Sequence, residues 1–172
     1  FLDGSERLRL PNAAAPRISI LLVLFNQAEL TLACLRAIAG KVHMPAEVVI
    51  VDNASSDRTV ALLDRLDGAG IARNSENRHF VNAVNQAAGL ARGEALLLLN
   101  NDACLREGTL DAAWSTLSAH VDAGAVGGPI VLPDGTLQEA GSIIWSDGTC
   151  LGYGRGRDPG APEFQFAREV DY

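Results

Sequence analysis

Short, continuous runs of apolar residues recur along this chain, and each run ends abruptly at polar side chains. The three clearest runs are residues 18–25, 48–51 and 95–99. Runs of this length between turn signals are typical of strands that are covered on both faces of a parallel sheet. We therefore predict three buried strands, with a weaker fourth strand at residues 71–74.

The segments that connect these runs carry apolar residues at helical spacing. We predict four helices, which extend from Asn26 to Gly40 and over residues 59–66, 80–91 and 109–120. Asn26 and Glu29 match a variant of the capping box that begins many helices. Strands and helices thus alternate three times within the first 100 residues, which predicts an α/β fold with a mainly parallel sheet, right-handed crossovers and helices on both faces.

Beyond residue 120 the pattern changes to short apolar runs that are joined by tight turns. We predict strands at residues 125–132 and 142–145, because Asp-Gly turn signals follow them. We find no internal repeat. Two prolines mark residues 1–16 as a linker or approach segment, and many glycines and prolines predict a flexible loop at residues 151–172. Residues 17–150 are then the folded domain.

Composition and charge limit the classes of function. The chain has 172 residues, of which 48% are hydrophobic and 20% are charged, as in one ordered domain with a substantial core. A net charge of -7 without any cluster of Lys and Arg argues against a nucleic-acid partner. No apolar run approaches the length of a membrane span.

The cysteines indicate the compartment. Cys34, Cys104 and Cys150 are odd in number, far apart and outside any metal-binding spacing. We therefore expect neither a disulfide framework nor a zinc site, and a reducing, cytoplasmic location fits best. The chain begins with Phe rather than Met, which predicts that it is part of a longer protein.

Polar side chains follow the predicted strands at the points where the strands end. Asn26 follows the first run, residues 52–57 follow the second, and residues 100–102 (Asn-Asn-Asp) follow the third. The carboxyl ends of parallel strands form the edge of the sheet where ligands bind. Mg²⁺ and Mn²⁺ take one or two protein carboxylates and fill their other positions with phosphate oxygens and water. A ligand that carries its phosphates on such a metal would need no Gly-rich loop, and this chain has none near its first strand.

Four segments together resemble one enzyme family. They are ISILLVLFN, VVIVDNASSD, NRHFVNAVNQAAGLARGEALLLLNND and AVGGPIVLPDGTLQEAG. In this order and spacing they are similar to motifs of the family 2 glycosyltransferases, above all of the bacterial rhamnosyltransferase-like branch that builds cell-surface polysaccharides. The resemblance covers residues 17–145. It implies the Rossmann-like GT-A fold, truncated here at the C-terminus, with residues 151–172 starting an incomplete acceptor-side segment.

The resemblance also implies roles for individual residues. Asp52 matches the aspartate that hydrogen-bonds the nucleotide base, and residues 100–102 match the metal-binding DxD motif, whose last carboxylate is Asp102. Asn100 replaces the first Asp of that motif, so affinity for a divalent cation should fall. The residues expected to bind the nucleotide-sugar donor are Val23, Phe25, Asn26, Asp52, Asn100 and Asn101.

The implied reaction is metal-dependent transfer of a sugar from a nucleotide-diphosphate donor to a polysaccharide or lipid-linked acceptor, with inversion. Inversion needs a general base, which in the family lies further along the chain than the resemblance reaches, so we expect it beyond Tyr172. Carboxylates considered only by default are Glu139, Asp147, Glu163 and Glu169. Any contact with the inner membrane is expected through other parts of the parent protein.

Other readings stay open at this point. A nucleotidyltransferase would want a basic, Gly-rich phosphate loop, which residues 22–29 do not provide. A non-catalytic nucleotide-sugar-binding module is favoured by Asn100 in place of Asp. His79 lies where the family usually has Gly and is expected to be an exposed loop residue. Asp57 suits either the start of the second helix or a contact with ligand.

Overall fold

The chain forms strands and helices in alternation through its first hundred residues, followed by short antiparallel strands. The structure, a computed structural model, describes residues 1–2 and 4–170. The helices are α1 (Ala28–Lys41), α2 (Thr59–Leu63), α3 (His79–Leu90) and α4 (Thr109–Ala119). Within the described ranges, no helix combines the length and the apolar character needed to cross a bilayer. Backbone contacts divide the chain into two units, Phe1–Leu110 and Asp111–Tyr172.

The central element of the first unit is a parallel sheet of four strands. The strands of this unit are β1 (Leu8–Arg9), β2 (Ile18–Leu24), β3 (Ala46–Asp52), β4 (Leu66–Asp67), β5 (Ala69–Arg73) and β6 (Ala95–Leu98). Their order in the sheet is β5-β3-β2-β6, and every neighbouring pair is parallel. The predicted parallel sheet is confirmed, and the carboxyl ends of all four strands meet at one edge.

Burial on both faces of β2 and β3 explains why their sequences are almost entirely apolar. On one face Leu21, Val49 and Val51 form a core with Ala83 and Ala87 of α3. The small alanine side chains let the helix lie close to the sheet. The alternate residues of the same strands, which point to the opposite face, have no exposed area either; they include Ile20, Leu22 and Ile50.

The prediction that the third apolar run is covered on both faces is wrong. The run forms β6, which lies at the edge of the sheet and pairs there with β2. Leu96 and Leu98 of this strand are 45% and 58% exposed. The physical reason is placement, since α3 packs over β2 and β3 rather than over the edge strand.

The predicted linker at residues 1–16 is packed against the first unit. Strand β1 pairs in parallel with β4, in the register Leu8 with Leu66. The Arg7 guanidinium donates hydrogen bonds of 2.7, 2.9 and 3.0 Å to the Asp67 carboxylate, and Leu10 is buried. The same pairing shortens the second predicted helix, which ends at Leu63 because Leu66 belongs to β4.

The second unit contains two antiparallel hairpins. Its strands are β7 (Ile130–Val131), β8 (Leu137–Glu139), β9 (Ser142–Ile144) and β10 (Cys150–Gly152), paired β7 with β8 and β9 with β10. The predicted strand at 125–132 is shorter because Gly127, Gly128 and Pro129 suit a strand interior poorly. A single-turn 3₁₀ helix, Pro162–Phe164, lies within the segment predicted as a loop. Residues 171 and 172 of that segment lie outside the described residues.

The two hairpin turns are built alike, although no repeat was found in the sequence. In the first, Asp134 Oδ1 accepts hydrogen bonds from the amide of Thr136 at 2.9 Å and from its hydroxyl at 2.7 Å. Asp147 and Thr149 repeat both bonds at the same lengths. The bonds from the threonine amide and hydroxyl lower the pKa of each aspartate. The repeated Asp-Gly-Thr triplet is the sequence signal for both turns.

A buried carboxylate joins the strands at the opposite, amino-terminal edge of the sheet. Glu47 Oε1 accepts the Ser19 hydroxyl at 2.6 Å and the Arg92 amide at 2.6 Å, while Oε2 accepts Arg92 Nε at 2.8 Å. Burial opposes ionisation, but these bonds outweigh it and lower the pKa of Glu47. The Gly93 amide donates to the same Ser19 hydroxyl at 2.8 Å. A Cβ on Gly93 would come within 2.6 Å of the Ser19 amide nitrogen, so glycine is required there.

We expect Glu47→Gln to lower the free energy of unfolding at neutral pH by about 2 kcal/mol, because the charged acceptor of two partners is lost. Since folding lowers the pKa of Glu47, its stabilisation is complete above the unfolded pKa and disappears as pH falls through the folded one. Urea denaturation at several pH values checks this. The control is Glu94→Gln, a change at an exposed carboxylate. If the difference in unfolding free energy between the wild type and Glu47→Gln does not decrease as the pH falls, the stabilising role of the ionised Glu47 is contradicted.

Candidate functional site

Four loops meet at the carboxyl edge of the parallel sheet, and left-handed backbone at non-glycine residues occurs in or directly after three of them. They follow β2, β3, β5 and β6, in the segments 25–27, 53–58, 74–78 and 99–108. The described non-glycine residues with positive φ are Asn26 (60°), Gln27 (65°), Ala54 (68°) and His79 (62°). All four lie in these loops or at the helix start that follows one. Left-handed backbone at ordinary residues is costly and is concentrated at functional sites.

Asn26 and Asp57 tie the loop after β2 to the loop after β3. The Asn26 side-chain oxygen accepts the amides of Ser56 at 2.8 Å and Asp57 at 3.3 Å. In return Asp57 Oδ2 accepts the amide of Ala28, the first residue of α1, at 3.1 Å. The predicted capping box is therefore wrong, since the N-cap position is Gln27 and makes no side-chain cap bond. The cap is supplied by Asp57, which lies 29 residues further along the chain.

Asp57 also serves the second helix, which confirms one of its two predicted roles. Its Oδ1 accepts the amide of Thr59, the first residue of α2, at 2.9 Å. Partial burial works against ionisation, but the bonds from Thr59 and Ala28 prevail and lower the pKa of Asp57. One carboxylate thus stabilises the starts of two helices, where helix dipoles favour negative charge.

Asn53 is the buried centre of the site, a role that the sequence alone does not predict. It is 2% exposed. Its Nδ2 donates to Asn77 Oδ1 at 2.8 Å, and its Oδ1 accepts the Arg78 amide at 2.9 Å and Asn74 Nδ2 at 3.1 Å. The loop after β3 is thereby fixed to the loop after β5. The only signal in the sequence was its place beside Asp52 in a polar stretch.

Asp52 is held at the end of β3, with 3% of its surface exposed. Its Oδ1 accepts the Ser55 amide at 3.1 Å, which closes the turn around the carboxylate. Phe25, expected to bind the nucleotide-sugar donor, follows the neighbouring strand β2 and is 50% exposed. Val23 instead packs against the core beneath α3. The donor-binding roles of these residues stay predictions.

The Asn-Asn-Asp segment forms a turn directly after β6. The Ala103 amide donates to the Asn100 carbonyl at 3.1 Å. The Asn101 amide group donates to the hydroxyl of Thr31 in α1 at 2.9 Å, and the Cys34 thiol, one helical turn further on, donates to the Asn100 carbonyl at 3.7 Å. Burial, with smaller effects of Cys104 and Asp102, raises the pKa of Cys34 to about 12. The Asp102 side chain is exposed.

The donors at this edge fit a metal ion that is shared with a ligand. Among residues 1–2 and 4–170, no three His, Cys, Asp or Glu side chains cluster as a ready-made metal site. Asp102 offers one exposed carboxylate. Mg²⁺ and Mn²⁺ are commonly held by one or two carboxylates together with phosphate oxygens, so a cation bound by Asp102 would need phosphate from a ligand. The Asp52 and Asp102 loops are separated by β2, roughly 10 Å across two strand spacings.

Comparison with known proteins gives consistent results. A family model described as Glycosyl transferase family 2 matches residues 19–163. The O-antigen biosynthesis protein RfbC of Myxococcus xanthus is 29% identical over 150 residues, which is 83% of this chain and 12% of that protein. A PGL/p-HBAD biosynthesis glycosyltransferase of Mycobacterium tuberculosis is 28% identical over 135 residues, 76% of this chain and 53% of that protein. The chain thus spans only part of the length of these relatives.

Two solved structures are similar to this one. The first is the mannosyltransferase PcManGT of Pyrobaculum calidifontis, in complex with GDP-Man and Mn²⁺. It has a TM-score of 0.58 and 26% identity, over 72% of this chain and 38% of that one. The second is TarS of S. aureus, with a TM-score of 0.55 and 21% identity over 72% of this chain and 41% of that one. The second likeness concerns the fold alone.

We expect His79→Gly to raise the free energy of unfolding by about 0.5–1 kcal/mol. The left-handed backbone at this position, φ 62°, destabilises the folded state of any residue that has a Cβ. This cost exceeds the additional conformational entropy that a glycine loses when the chain folds. The matched control is His79→Ala, which keeps the Cβ and should give no gain. Chemical denaturation measures both variants. Equal stability of the Gly and Ala variants would show that the His79 backbone is not strained.

Proposed function

This chain belongs to glycosyl transferase family 2 and has the GT-A fold, and on this basis we propose that it binds the nucleotide-diphosphate-sugar donor of a glycosyltransferase. The observation that carries the proposal is the placement of two carboxylates at one edge of the sheet. Asp52 is buried at the end of β3, Asp102 is exposed after β6, and β2 lies between them.

These two carboxylates differ in what they can bind. Asp52 is enclosed by its own turn, through the bond from the Ser55 amide. Such a fixed, desolvated acceptor suits the N–H groups of a nucleobase. The half-exposed ring of Phe25, at the end of the adjacent strand, offers an apolar surface beside it. More than one nucleobase carries such N–H groups, so several nucleotides are compared in the experiment below.

Asp102 is the residue that would hold a divalent cation. When bound, the cation supplies positive charge against the negative charge that develops on the departing diphosphate. The side chain of Asn100 replaces the usual first carboxylate and contributes no charge, so we expect cation binding to depend on nucleotide phosphates. PcManGT, a structural neighbour in complex with GDP-Man and Mn²⁺, supports the binding of a divalent cation together with a nucleotide sugar.

We further propose that transfer inverts the anomeric centre and that the acceptor is a polysaccharide or a lipid-linked saccharide. The named relatives act in biosynthesis of O-antigen and of PGL/p-HBAD, which supports a saccharide product. The general base stays unassigned. Of the carboxylates considered by default, Asp147 is bound by Thr149 and Glu163 pairs with Arg157, and neither contact indicates a catalytic role.

A second candidate is a donor-binding module that no longer transfers sugar. The observation that favours it is the amide of Asn100 where a carboxylate is usual. The two candidates share nucleotide binding and differ in whether a metal strengthens it. A nucleotidyltransferase is disfavoured, because the loop after β2 holds Asn26 and Gln27 in left-handed backbone and presents no Gly-rich, basic phosphate loop.

Calorimetric titration of UDP, GDP and dTDP tests the proposal. We expect at least one nucleotide to bind in Mn²⁺ and to bind at least about tenfold more weakly in EDTA or with Asp102→Ala, the minimum typical of disturbed metal sites. The control is Asp122→Ala, a change at another exposed carboxylate. Asp52→Asn should weaken binding with and without metal.

Each outcome bears on one part of the proposal. No binding of any nucleotide to the folded wild type would contradict donor binding by this chain. Binding that is equal in Mn²⁺ and EDTA would retain the donor site and favour the module without a working metal site.

A further inference from the structure

Helix α1 holds the turn that carries Asp102 at two points. Thr31 and Cys34 are three residues apart and so lie on one face of the helix. Neither side chain has any exposed area. Thr31 accepts the Asn101 side-chain amide at 2.9 Å, and Cys34 donates to the Asn100 carbonyl at 3.7 Å.

Of the two contacts, the one with Thr31 is stronger. A thiol is a weak donor, and the Asn100 carbonyl already accepts the Ala103 amide at 3.1 Å. The Thr31 hydroxyl is a buried polar group, and a buried polar group that loses its partner incurs a desolvation penalty. The Thr31–Asn101 hydrogen bond is therefore the principal side-chain link between helix and turn. On the strand side the turn is attached by the Leu99 amide, which donates to the Leu21 carbonyl at 3.1 Å.

This bond changes the role expected for Asn101. The resemblance implied that Asn101 contacts the donor, but its Nδ2 group is directed to a buried hydroxyl in α1. The next residue, Asp102, carries the exposed carboxylate of the turn. A side chain fixed on one side of a tight turn restricts where its neighbour can project.

We propose that Asn101 is a positioning residue, which sets the direction of the Asp102 carboxylate through its hydrogen bond to Thr31. The inference rests on the proposed function, in which Asp102 holds the cation. Positioning matters here because residues 100–102 offer one carboxylate where the DxD motif has two. A cation with one charged protein ligand tolerates little misdirection of that ligand.

The test compares Thr31→Val, which removes the hydroxyl but keeps the shape, with Thr31→Ser, which keeps the hydroxyl. Titration of the nucleotide that the wild type binds best is done in Mn²⁺ and in EDTA. We expect Thr31→Val to weaken binding in Mn²⁺ about two- to tenfold, the effect of one net hydrogen bond, and to leave affinity in EDTA unchanged. Thr31→Ser should bind as the wild type does in both media.

A further variant, Asn101→Leu, keeps the inference falsifiable if Thr31→Val folds poorly. Asn101→Leu removes the other partner and should show the same loss in Mn²⁺, and the double variant should be no worse than either single one, since both remove one bond. Thr116→Val is the matched control, because the Thr116 hydroxyl bonds to the Ala112 carbonyl within α4. Thermal melts confirm that each variant is folded.

The outcomes separate this inference from the proposed function. Wild-type affinity in Mn²⁺ for both Thr31→Val and Asn101→Leu would overturn the positioning role and leave donor binding intact. Equal losses in Mn²⁺ and EDTA would also overturn it, because they would show a general structural role. A wild type that binds no nucleotide would overturn both proposals.

Discussion

The parallel pairing of β2 with β3 on one side and β6 on the other is the constraint on which the rest of the first unit depends. The register aligns Leu24 with Asp52 and Leu21 with Leu98. Polar segments far apart in the sequence are therefore delivered to one edge of the sheet. Because both faces of β2 and β3 are buried, a shift of register would expose or misplace a core residue at every position. The positions of the two site carboxylates follow from this packing.

Hydrogen bonds between the loops then fix the geometry that the strands have set. Asp57 binds the first amides of α1 and α2, and Asn53 joins the loops after β3 and β5. These half-buried bonds offset the cost of left-handed backbone at Ala54 and His79. These strained residues lie at the edge of the sheet where the ligand is proposed to bind, and Asp102 lies at the same edge.

The sequence predicted those features that local pattern determines. The runs that became β2 and β3 are apolar because both of their faces are buried, and the Asp-Gly turns of the second unit are local signals.

The sequence did not predict those features that depend on a residue far away in the chain. Asn26 is of a residue type that often caps helices, but the cap of α1 is supplied by Asp57 from another loop. Leu8 and Leu66 pair across 58 residues, a contact that the local pattern of residues 1–16 does not predict. The Thr31 contact of Asn101 was equally invisible, since no local pattern encodes it.

The proposed donor site requires Asp52 and Asp102 to bind the two ends of one ligand. Its most direct test is a crystal structure of this chain grown with a nucleoside diphosphate and Mn²⁺, with the metal located by its anomalous scattering. We expect an anomalous peak about 2.1 Å from an Asp102 carboxylate oxygen, shared with diphosphate oxygens, and a nucleobase hydrogen-bonded to Asp52. A nucleotide bound elsewhere, or one bound here with its metal away from Asp102, would contradict it.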